Sequence, residues 1–153
     1  MPARVRVLGL GNEILADDAF GILAARELAK LFPPDEVEVI ESSESGLHLL
    51  DHVTNVSRLV VIDSVQTGRV APGTILEVRE QDVRAVPGAA AHGTGLFDAL
   101  ALARKLGFPV PTEVVILAVE AADCLTLGGP MHPAVAAALP RLIDQAKALI
   151  SKP

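Results

Sequence analysis

The sequence has few aromatic residues and almost no cysteine. Among its 153 residues there is no tryptophan and no tyrosine, aromatic residues make up 3%, and Cys124 is the only cysteine. The scarcity of aromatics argues against a surface on which bases or sugars would stack. A lone cysteine excludes an internal disulfide and is typical of a reducing compartment, so we expect a cytoplasmic protein.

Long apolar runs and an excess of basic residues are missing as well. No apolar stretch approaches the roughly 20 residues that a membrane-spanning helix needs. The first residues lead directly into a strand pattern, and we therefore expect no signal peptide. The net charge of -6 is opposite in sign to that of a surface that binds phosphates. We expect no nucleic acid and no membrane as partner, and we expect a monomer.

Aliphatic residues are abundant, and their spacing predicts one α/β domain over residues 1–153. Hydrophobic residues make up 50% of the chain. Strand patterns occupy residues 5–8, 37–40, 59–62, 74–78 and 114–119. Helical patterns occupy residues 19–31, 47–53, 96–106 and 135–149. This alternation predicts a three-layer fold: a mostly parallel, twisted sheet of about five strands with helices on both faces, and residues 74–78 as an antiparallel edge.

Polar residues that could carry chemistry follow the ends of the predicted strands. Asp17 and Asp18 follow the first strand, Asp63 ends the third, and His92 lies in a predicted loop over residues 84–95. In folds of this class, ligands bind outside the carboxyl ends of the strands. Two carboxylates and an imidazole suit a divalent metal such as Zn, Ni, Mn or Fe, with coordination positions left open. We therefore predict a metal site formed by Asp18, Asp63 and His92.

Each of these acidic residues also has a purely structural interpretation. Asp18 could cap the helix that begins at residue 19 while Asp17 takes the other role, or the reverse. Asp63 is harder to explain in this way, because a carboxylate after four apolar residues is costly unless it is paired or used. Beyond the last strand, Glu120 and Asp123 could line the same rim, but we interpret them as residues that solubilise a loop. If all the carboxylates were structural, the chain would be a regulatory module without metal affinity.

Two other motifs point to different classes of protein. Residues 9–11, Gly-Leu-Gly, begin a dinucleotide-binding fingerprint, but its third glycine position holds Ile14. The glycines are better explained by a tight turn and a close approach of the backbone. Residues 48–52, His-Leu-Leu-Asp-His, are similar to the motif of inverted zinc proteases. Their leucines and Val53 occupy the opposite, apolar face of the helix, so the polar side chains are expected to face water.

Nucleophilic catalysis has no clear signature in this chain. There is no Gly-x-Ser-x-Gly elbow, and Cys124 has no basic neighbour in sequence that would lower the pKa of its thiol. We therefore interpret Cys124 as a small buried hydrophobic residue.

The clearest likeness to a known family lies in residues 9–21, GLGNEILADDAFG. This run closely resembles the opening signature of the nickel–iron hydrogenase maturation endopeptidases. The resemblance continues in register at residues 59–63, LVVID, at residues 72–74, PGT, and at residues 92–98, HGTGLFD. It extends to MHPAV at residues 131–135, so it covers nearly the whole chain. The combination of these pieces is specific, whereas each piece alone would be weak.

The resemblance implies a function and a role for the three predicted ligands. Members of this family remove a short C-terminal extension from the hydrogenase large-subunit precursor after nickel insertion. Their metal-contacting positions fall on Asp18, Asp63 and His92, and the nickel is thought to be the substrate's own. The implied enzyme is an aspartic-type or metal-assisted endopeptidase in which Asp18 or Asp63 activates water. Three ligands are an incomplete set, so the protein should bind divalent ions weakly, and another divalent metal could substitute for nickel.

The sequence departs from the family pattern in two loops and leaves one alternative function open. Residues 41–46, ESSESG, replace a turn similar to Asp-Gly-Gly-Thr, and residues 119–123, VEAAD, lack a proline that is common there. Both loops would line the approach of the substrate. The alternative is an accessory protein of hydrogenase assembly that binds and delivers nickel without cleaving a peptide bond, since it would need the same three ligands.

Overall fold

The fold is a three-layer α/β sandwich built on one five-stranded sheet. The computed structural model describes residues 4–85 and 91–153, with all their side chains except those of residues 83–85 and 91–94. The strands are β1 (Val5–Leu10), β2 (Val37–Ser42), β3 (Arg58–Val65), β4 (Ile75–Arg79) and β5 (Glu113–Glu120). The α-helices are α1 (Phe20–Ala29), α2 (Ala91–Lys105) and α3 (Pro133–Ile150). Three 3-10 helices occupy Ala16–Ala19, Gly46–His52 and Glu80–Ala85.

The order of the strands confirms the predicted fold class and locates its switch point. The order is β2-β1-β3-β5-β4, with β4 antiparallel to β5 and the other pairs parallel. The chain therefore moves outward from β1 to β2 and then, after β3, outward in the opposite direction. In folds of this class, ligands bind at such a reversal, outside the carboxyl ends of the strands, which here are β1 and β3.

Two hydrophobic cores lie on opposite faces of the sheet. Helices α1 and α3 pack on one face, where the core includes Phe20 and Leu142. Helix α2 and the second 3-10 helix cover the other face, where the core includes Leu49 and Leu100. The central strand β3 supplies alternate residues to both cores, Val60 to the first and Val61 to the second. This two-sided burial explains why β3 is apolar at every position from residue 59 to 62.

Close contact between α1 and the sheet depends on two glycines of the opening motif. A Cβ atom on Gly21 would lie 2.1 Å from the carbonyl oxygen of Leu10 and 2.6 Å from that of Ile62. A Cβ on Gly9 would lie 2.4 Å from the carbonyl oxygen of Gly21. The distance at Gly9 confirms that the Gly-Leu-Gly segment allows a close approach of the backbone, as interpreted above, because no larger residue fits there without displacing α1.

Several predicted boundaries were wrong, and two of the differences concern the candidate site. Helix α2 begins at Ala91, so the backbone of His92 lies in its first turn and not in a loop. Two glycines and a threonine after His92 weaken the helical pattern at this end, but the packing of α2 on the second core overrides it. The first helix does not begin at residue 19, because a 3-10 turn over Ala16–Ala19 precedes α1. Over the described residues, no helix is both long enough and apolar enough to cross a membrane.

Candidate functional site

Ser64 joins two of the predicted site residues at the switch point. Asp63 lies in β3 and is 1% exposed, and Asp18 lies in the first 3-10 helix and is 7% exposed. The hydroxyl of Ser64 donates a hydrogen bond to Oδ1 of Asp18 over 3.0 Å. The backbone N–H of Ser64 donates to Oδ1 of Asp63 over 2.8 Å. The structure therefore brings the loop after β1 and the end of β3 together, and both carboxylates contact one residue.

Neither aspartate of the opening motif caps a helix. The position before the first 3-10 helix is Leu15, the position before α1 is Ala19, and neither makes a side-chain cap. The capping interpretation is thus wrong for both Asp17 and Asp18, because both lie within the 3-10 helix. Their side chains instead form long-range contacts, Asp18 with β3 and Asp17 with the segment that follows β5.

Asp17 is fully buried, and backbone N–H groups satisfy both of its carboxylate oxygens. Oδ2 accepts hydrogen bonds from the N–H groups of Ala122 and Asp123, each over 2.8 Å. Oδ1 accepts one from the N–H of His132 over 2.7 Å. His132 is the N-cap residue of α3, so the carboxylate also lies at the positive end of that helix. These donors compensate the cost of burying Asp17.

The loop that carries the aspartates is bonded along its length to the segment between β5 and α3. Ala16 N–H donates to the carbonyl of Thr126 over 3.0 Å, and Gly128 N–H donates to that of Ile14 over 2.8 Å. An isolated antiparallel bridge pairs Leu15 with Leu127. Ala16 has a φ of 22°, a left-handed value that is costly for a residue with a Cβ. The surrounding hydrogen bonds hold this strained turn directly before Asp17.

Glu120 is a second buried carboxylate at the rim, and its predicted role was wrong. It is the last residue of β5 and is 1% exposed, so it does not solubilise a loop. Its carboxylate accepts hydrogen bonds from the N–H groups of Thr67 and Gly68, over 2.9 and 3.2 Å, and from the hydroxyl of Thr67. Glu120 therefore fastens the loop after β3 to the end of β5, a long-range role that local sequence does not indicate.

Asp123 also has a more definite role than a solvated loop residue. Its Oδ1 accepts hydrogen bonds from the N–H groups of Leu125 and Thr126, over 2.8 and 3.1 Å, and its Oδ2 accepts one from the hydroxyl of Thr126. The bond from the Thr126 hydroxyl, followed by those from the two N–H groups, lowers the pKa of Asp123 below its ordinary value. Asp123 thus shapes the turn that Asp17 holds.

Cys124 lies next to the same carboxylates. Its Sγ is 3.6 Å from the hydroxyl oxygen of Ser64, and its side chain is half-buried. Burial raises the pKa of the thiol to about 11, against a smaller lowering by the bond to Ser64, and the charges of Asp18, Asp17 and Asp63 raise it further. A thiol with this pKa is protonated at neutral pH, so Cys124 is not an activated nucleophile. The interpretation of Cys124 as a small buried hydrophobic residue was wrong, because its side chain is only half-buried and lies beside a hydroxyl and three carboxylates.

His92 is the one predicted ligand whose side chain lies outside the described residues. Its backbone is in the first turn of α2, which covers the face of the sheet that includes Val61. Asp63 follows Val61 by two positions in β3, so its side chain leaves the strand on that same face. Among the side chains that the structure describes, no three His, Cys, Asp or Glu residues form a group that could hold a metal ion. The three-residue metal site therefore stays a prediction.

The polar side chains of the alternative motif at residues 48–52 lie on the side of their helix away from the core. It lies in a 3-10 helix, where His48 and Asp51 are exposed, and His52 contacts Glu44 at 3.7 Å. Leu49 is fully buried in the core beneath α2, as predicted. The outward direction of the polar side chains agrees with the interpretation that this motif is a solvated helix face.

Comparison with known proteins identifies a matching family and several relatives of this chain. The profile of the HycI family, described as hydrogenase maturation protease, matches residues 22–148. The hydrogenase expression/formation protein HupD from Rhodobacter capsulatus is 33% identical over 149 residues, which cover 95% of this chain and 70% of the relative. Hydrogenase 2 maturation protease from Escherichia coli (strain K12) is 33% identical over 116 residues, or 73% of this chain and 71% of the relative.

Solved structures agree with the sequence relatives. The hydrogenase maturating endopeptidase HybD from E. coli superposes with a TM-score of 0.81 and 28% identity, over 96% of this chain and 91% of that structure. The [NiFe] hydrogenase maturation protease HybD from Thermococcus kodakarensis superposes with a TM-score of 0.76 and 26% identity, over 97% of this chain and 99% of that structure.

The strand order and the buried carboxylates at the switch point define the class of this protein. It is a doubly wound α/β protein with an acidic centre between β1 and β3. Within that class, the chain belongs to the hydrogenase maturation protease family. Membership confirms the family that the sequence resemblance predicted and supports a peptidase that acts in hydrogenase maturation over a protein that only delivers metal.

Proposed function

We propose that this protein is an endopeptidase that removes the C-terminal extension of a nickel–iron hydrogenase large-subunit precursor after nickel insertion. One observation carries this proposal: Ser64 contacts both Asp18 and Asp63 at the switch point of a chain that belongs to the hydrogenase maturation protease family. We further propose that the enzyme acts as a monomer in the cytoplasm.

The nickel of the substrate is the element that the enzyme recognises, through Asp18, Asp63 and His92. Carboxylate and imidazole groups are suitable ligands for nickel and similar divalent ions. Asp18 supports this role because its Oδ1 accepts the Ser64 hydroxyl, whereas no described group donates a hydrogen bond to its Oδ2. Three protein ligands leave positions open for groups of the substrate, so the metal arrives with the precursor and another divalent ion can substitute for it.

Water is activated by an aspartate carboxylate, Asp18 or Asp63, acting as general base. A positioned base of this kind contributes roughly 10²- to 10⁴-fold to a rate. Activation assisted by the substrate metal is the alternative route. Ile14, in the loop that carries Asp18, is 56% exposed, and Leu125 and Leu127, in the segment bonded to that loop, are 83% and 70% exposed. Such exposed apolar side chains beside the carboxylates support a site that receives a polypeptide.

The decisive experiment compares a nickel-loaded precursor with a nickel-free one. The purified protein is incubated with each, and loss of the C-terminal extension is followed by intact mass. We expect cleavage of the loaded precursor alone. Cleavage of both at equal rates would contradict nickel recognition but leave the peptidase intact. Binding of the loaded precursor without cleavage would instead support the metal-delivery alternative.

A second experiment tests the predicted ligands with a matched histidine control. His92→Ala and Asp63→Asn should retain wild-type far-UV circular dichroism yet leave the loaded precursor uncleaved. His48→Ala removes an exposed imidazole of the alternative motif and should cleave at the wild-type rate. Wild-type processing by His92→Ala or by Asp63→Asn would defeat the site assignment, and loss of processing in His48→Ala would revive the alternative motif.

A further inference from the structure

We propose that Asp17 is a positioning residue for the peptidase reaction. Its hydrogen bonds attach the first loop to the segment between β5 and α3, and this attachment holds Asp18 at the rim. This inference rests on the proposed function, because it assigns to Asp17 the placement of a group that acts on substrate. Asp17 itself has no access to substrate, since its side chain is 0% exposed.

The hydrogen bonds of Asp17 leave it no capacity for chemistry. Both carboxylate oxygens accept backbone N–H groups, from Ala122 and Asp123 at 2.8 Å and from His132 at 2.7 Å. Its own N–H donates to the carbonyl of Asp123 over 2.8 Å. Asp17 therefore contacts both ends of the segment between β5 and α3, and it fixes the position of the first 3-10 helix against that segment.

Asp18 depends on this attachment because it is the next residue of the same short helix. Successive side chains of a 3-10 helix point about 120° apart, so Asp17 can face the segment after β5 while Asp18 faces β3. On the other side, Asp18 is held by the Ser64 hydroxyl at 3.0 Å, and its carbonyl accepts the N–H of Asn12 at 3.1 Å. The strained φ of 22° at Ala16 needs external support, and the bonds of Asp17 add to the backbone bonds that hold this turn.

Glu120 provides a matched control for this role. Like Asp17, it is buried at the rim, and it accepts two backbone N–H groups and one further donor. Its partners are Thr67 and Gly68, in the loop after β3, and it has no bond to the loop that carries Asp18. Removing either charge should destabilise the fold by a similar mechanism, but only the change at Asp17 should displace Asp18.

The experiment measures steady-state cleavage of the nickel-loaded precursor by wild type, Asp17→Asn and Glu120→Gln. All are assayed at a temperature where circular dichroism shows each to be folded. The side-chain amide introduced by Asp17→Asn would place an N–H group against backbone N–H groups. We expect kcat to fall roughly 10-fold or more in Asp17→Asn with KM little changed, because remote misplacement of a reacting group is that costly. Glu120→Gln should stay within about 3-fold of wild type in both constants, as a change that only lowers stability would.

A second variant covers the case in which Asp17→Asn does not fold. The serine side chain of Asp17→Ser carries no N–H group that would face the backbone N–H groups, and its hydroxyl oxygen can still accept a hydrogen bond. This variant should therefore fold and should show the same selective loss of kcat. Wild-type kcat in either folded variant, or an equal loss in Glu120→Gln, would overturn the positioning role. Failure of the proposed function looks different: the wild-type protein itself would then leave the precursor uncleaved.

Discussion

Acidic residues are held in two different ways in two regions of this molecule. At the rim of the sheet, Asp17, Asp18 and Glu120 are buried and accept hydrogen bonds from N–H and hydroxyl groups. Within the described side chains, no lysine or arginine lies within ion-pair distance of these three carboxylates. At the surface beside α2, Glu80 instead forms a bidentate pair with Arg104, and both side chains are partly exposed.

This difference in hydrogen-bond partners determines where the fold can attract a cation. Neutral donors solvate a carboxylate without cancelling its charge, whereas an arginine cancels it. The negative charge of the rim carboxylates acts on the thiol of Cys124, because Asp18, Asp17 and Asp63 each raise its pKa. The part of the rim around Cys124, with Asp17, Asp18 and Asp63, is therefore the acidic centre that suits a metal-bearing substrate. The surface pair beside α2 contributes at most to stability.

The largest effect is expected from neutralising Asp18. Asp18→Asn keeps the shape of the side chain but removes the charge, and cleavage of the nickel-loaded precursor should fall by about 100-fold or more. Glu13→Gln is the control, because Glu13 lies in the same loop but pairs with Arg26 on the surface and is 56% exposed. That variant should cleave within about 2-fold of wild type, as exposed ion pairs contribute little. Equal losses in the two variants would mean that general acidity, and not Asp18, governs the rate.

The next effect concerns the packing that aligns the rim. Gly21→Ala places a Cβ 2.1 Å from the carbonyl oxygen of Leu10 and should lower the free energy of unfolding by about 3 kcal/mol, at the upper end for overpacking. In Gly129→Ala the new Cβ contacts only the side chain of Thr126, whose methyl carbon lies 3.2 Å away, so the change should cost less than about 1 kcal/mol. Urea denaturation measures both. A smaller loss in Gly21→Ala than in Gly129→Ala would contradict the close packing of α1 on the sheet.

The negative environment of the rim can also be measured through Cys124. With a pKa of about 11 against an ordinary value of 9.0, its thiol should be alkylated by iodoacetamide at pH 8 roughly 100-fold more slowly than a free cysteine. Because the bond to Ser64 lowers the pKa, Ser64→Ala should slow the reaction further, whereas Asp18→Asn should accelerate it. A wild-type rate equal to that of free cysteine would mean that the thiol is neither buried nor close to the carboxylates.

The parts of this contrast that sequence could predict are those that depend on local pattern. The apolar run before Asp63 predicts a central strand, and strand ends in a doubly wound sheet predict that Asp18 and Asp63 lie on the same rim, where each contacts Ser64. The resemblance of residues 9–21 predicts the family because it combines spaced glycines with a pair of acidic residues.

The parts that sequence could not predict depend on partners far along the chain. The three donors to Asp17 lie 105, 106 and 115 residues away, so the capping interpretation was the natural local one. Glu120 is bonded to residues 52 and 53 positions before it, and no local pattern separates it from an exposed glutamate. The start of α2 at Ala91 was missed because two glycines near His92 favour a loop when packing is not considered.

The smallest effect is expected at the surface pair, where neutralisation should change stability and leave cleavage intact. The hydrogen bond from Arg104 lowers the pKa of Glu80 from its ordinary 4.5, so the pair stabilises the fold above that pH and loses its contribution as the pH falls through the lowered pKa. Glu80→Gln should therefore reduce the free energy of unfolding at pH 7 by about 0.2 to 1 kcal/mol, and by less on acidification, as far down as the wild type stays folded. Glu77→Gln, whose partner Arg79 lies 3.9 Å away, should change the free energy of unfolding less.

If Glu80→Gln slowed cleavage as much as Asp18→Asn, the contrast between the rim and the surface would be lost, because an acidic group whose charge is cancelled by arginine would then matter to the reaction.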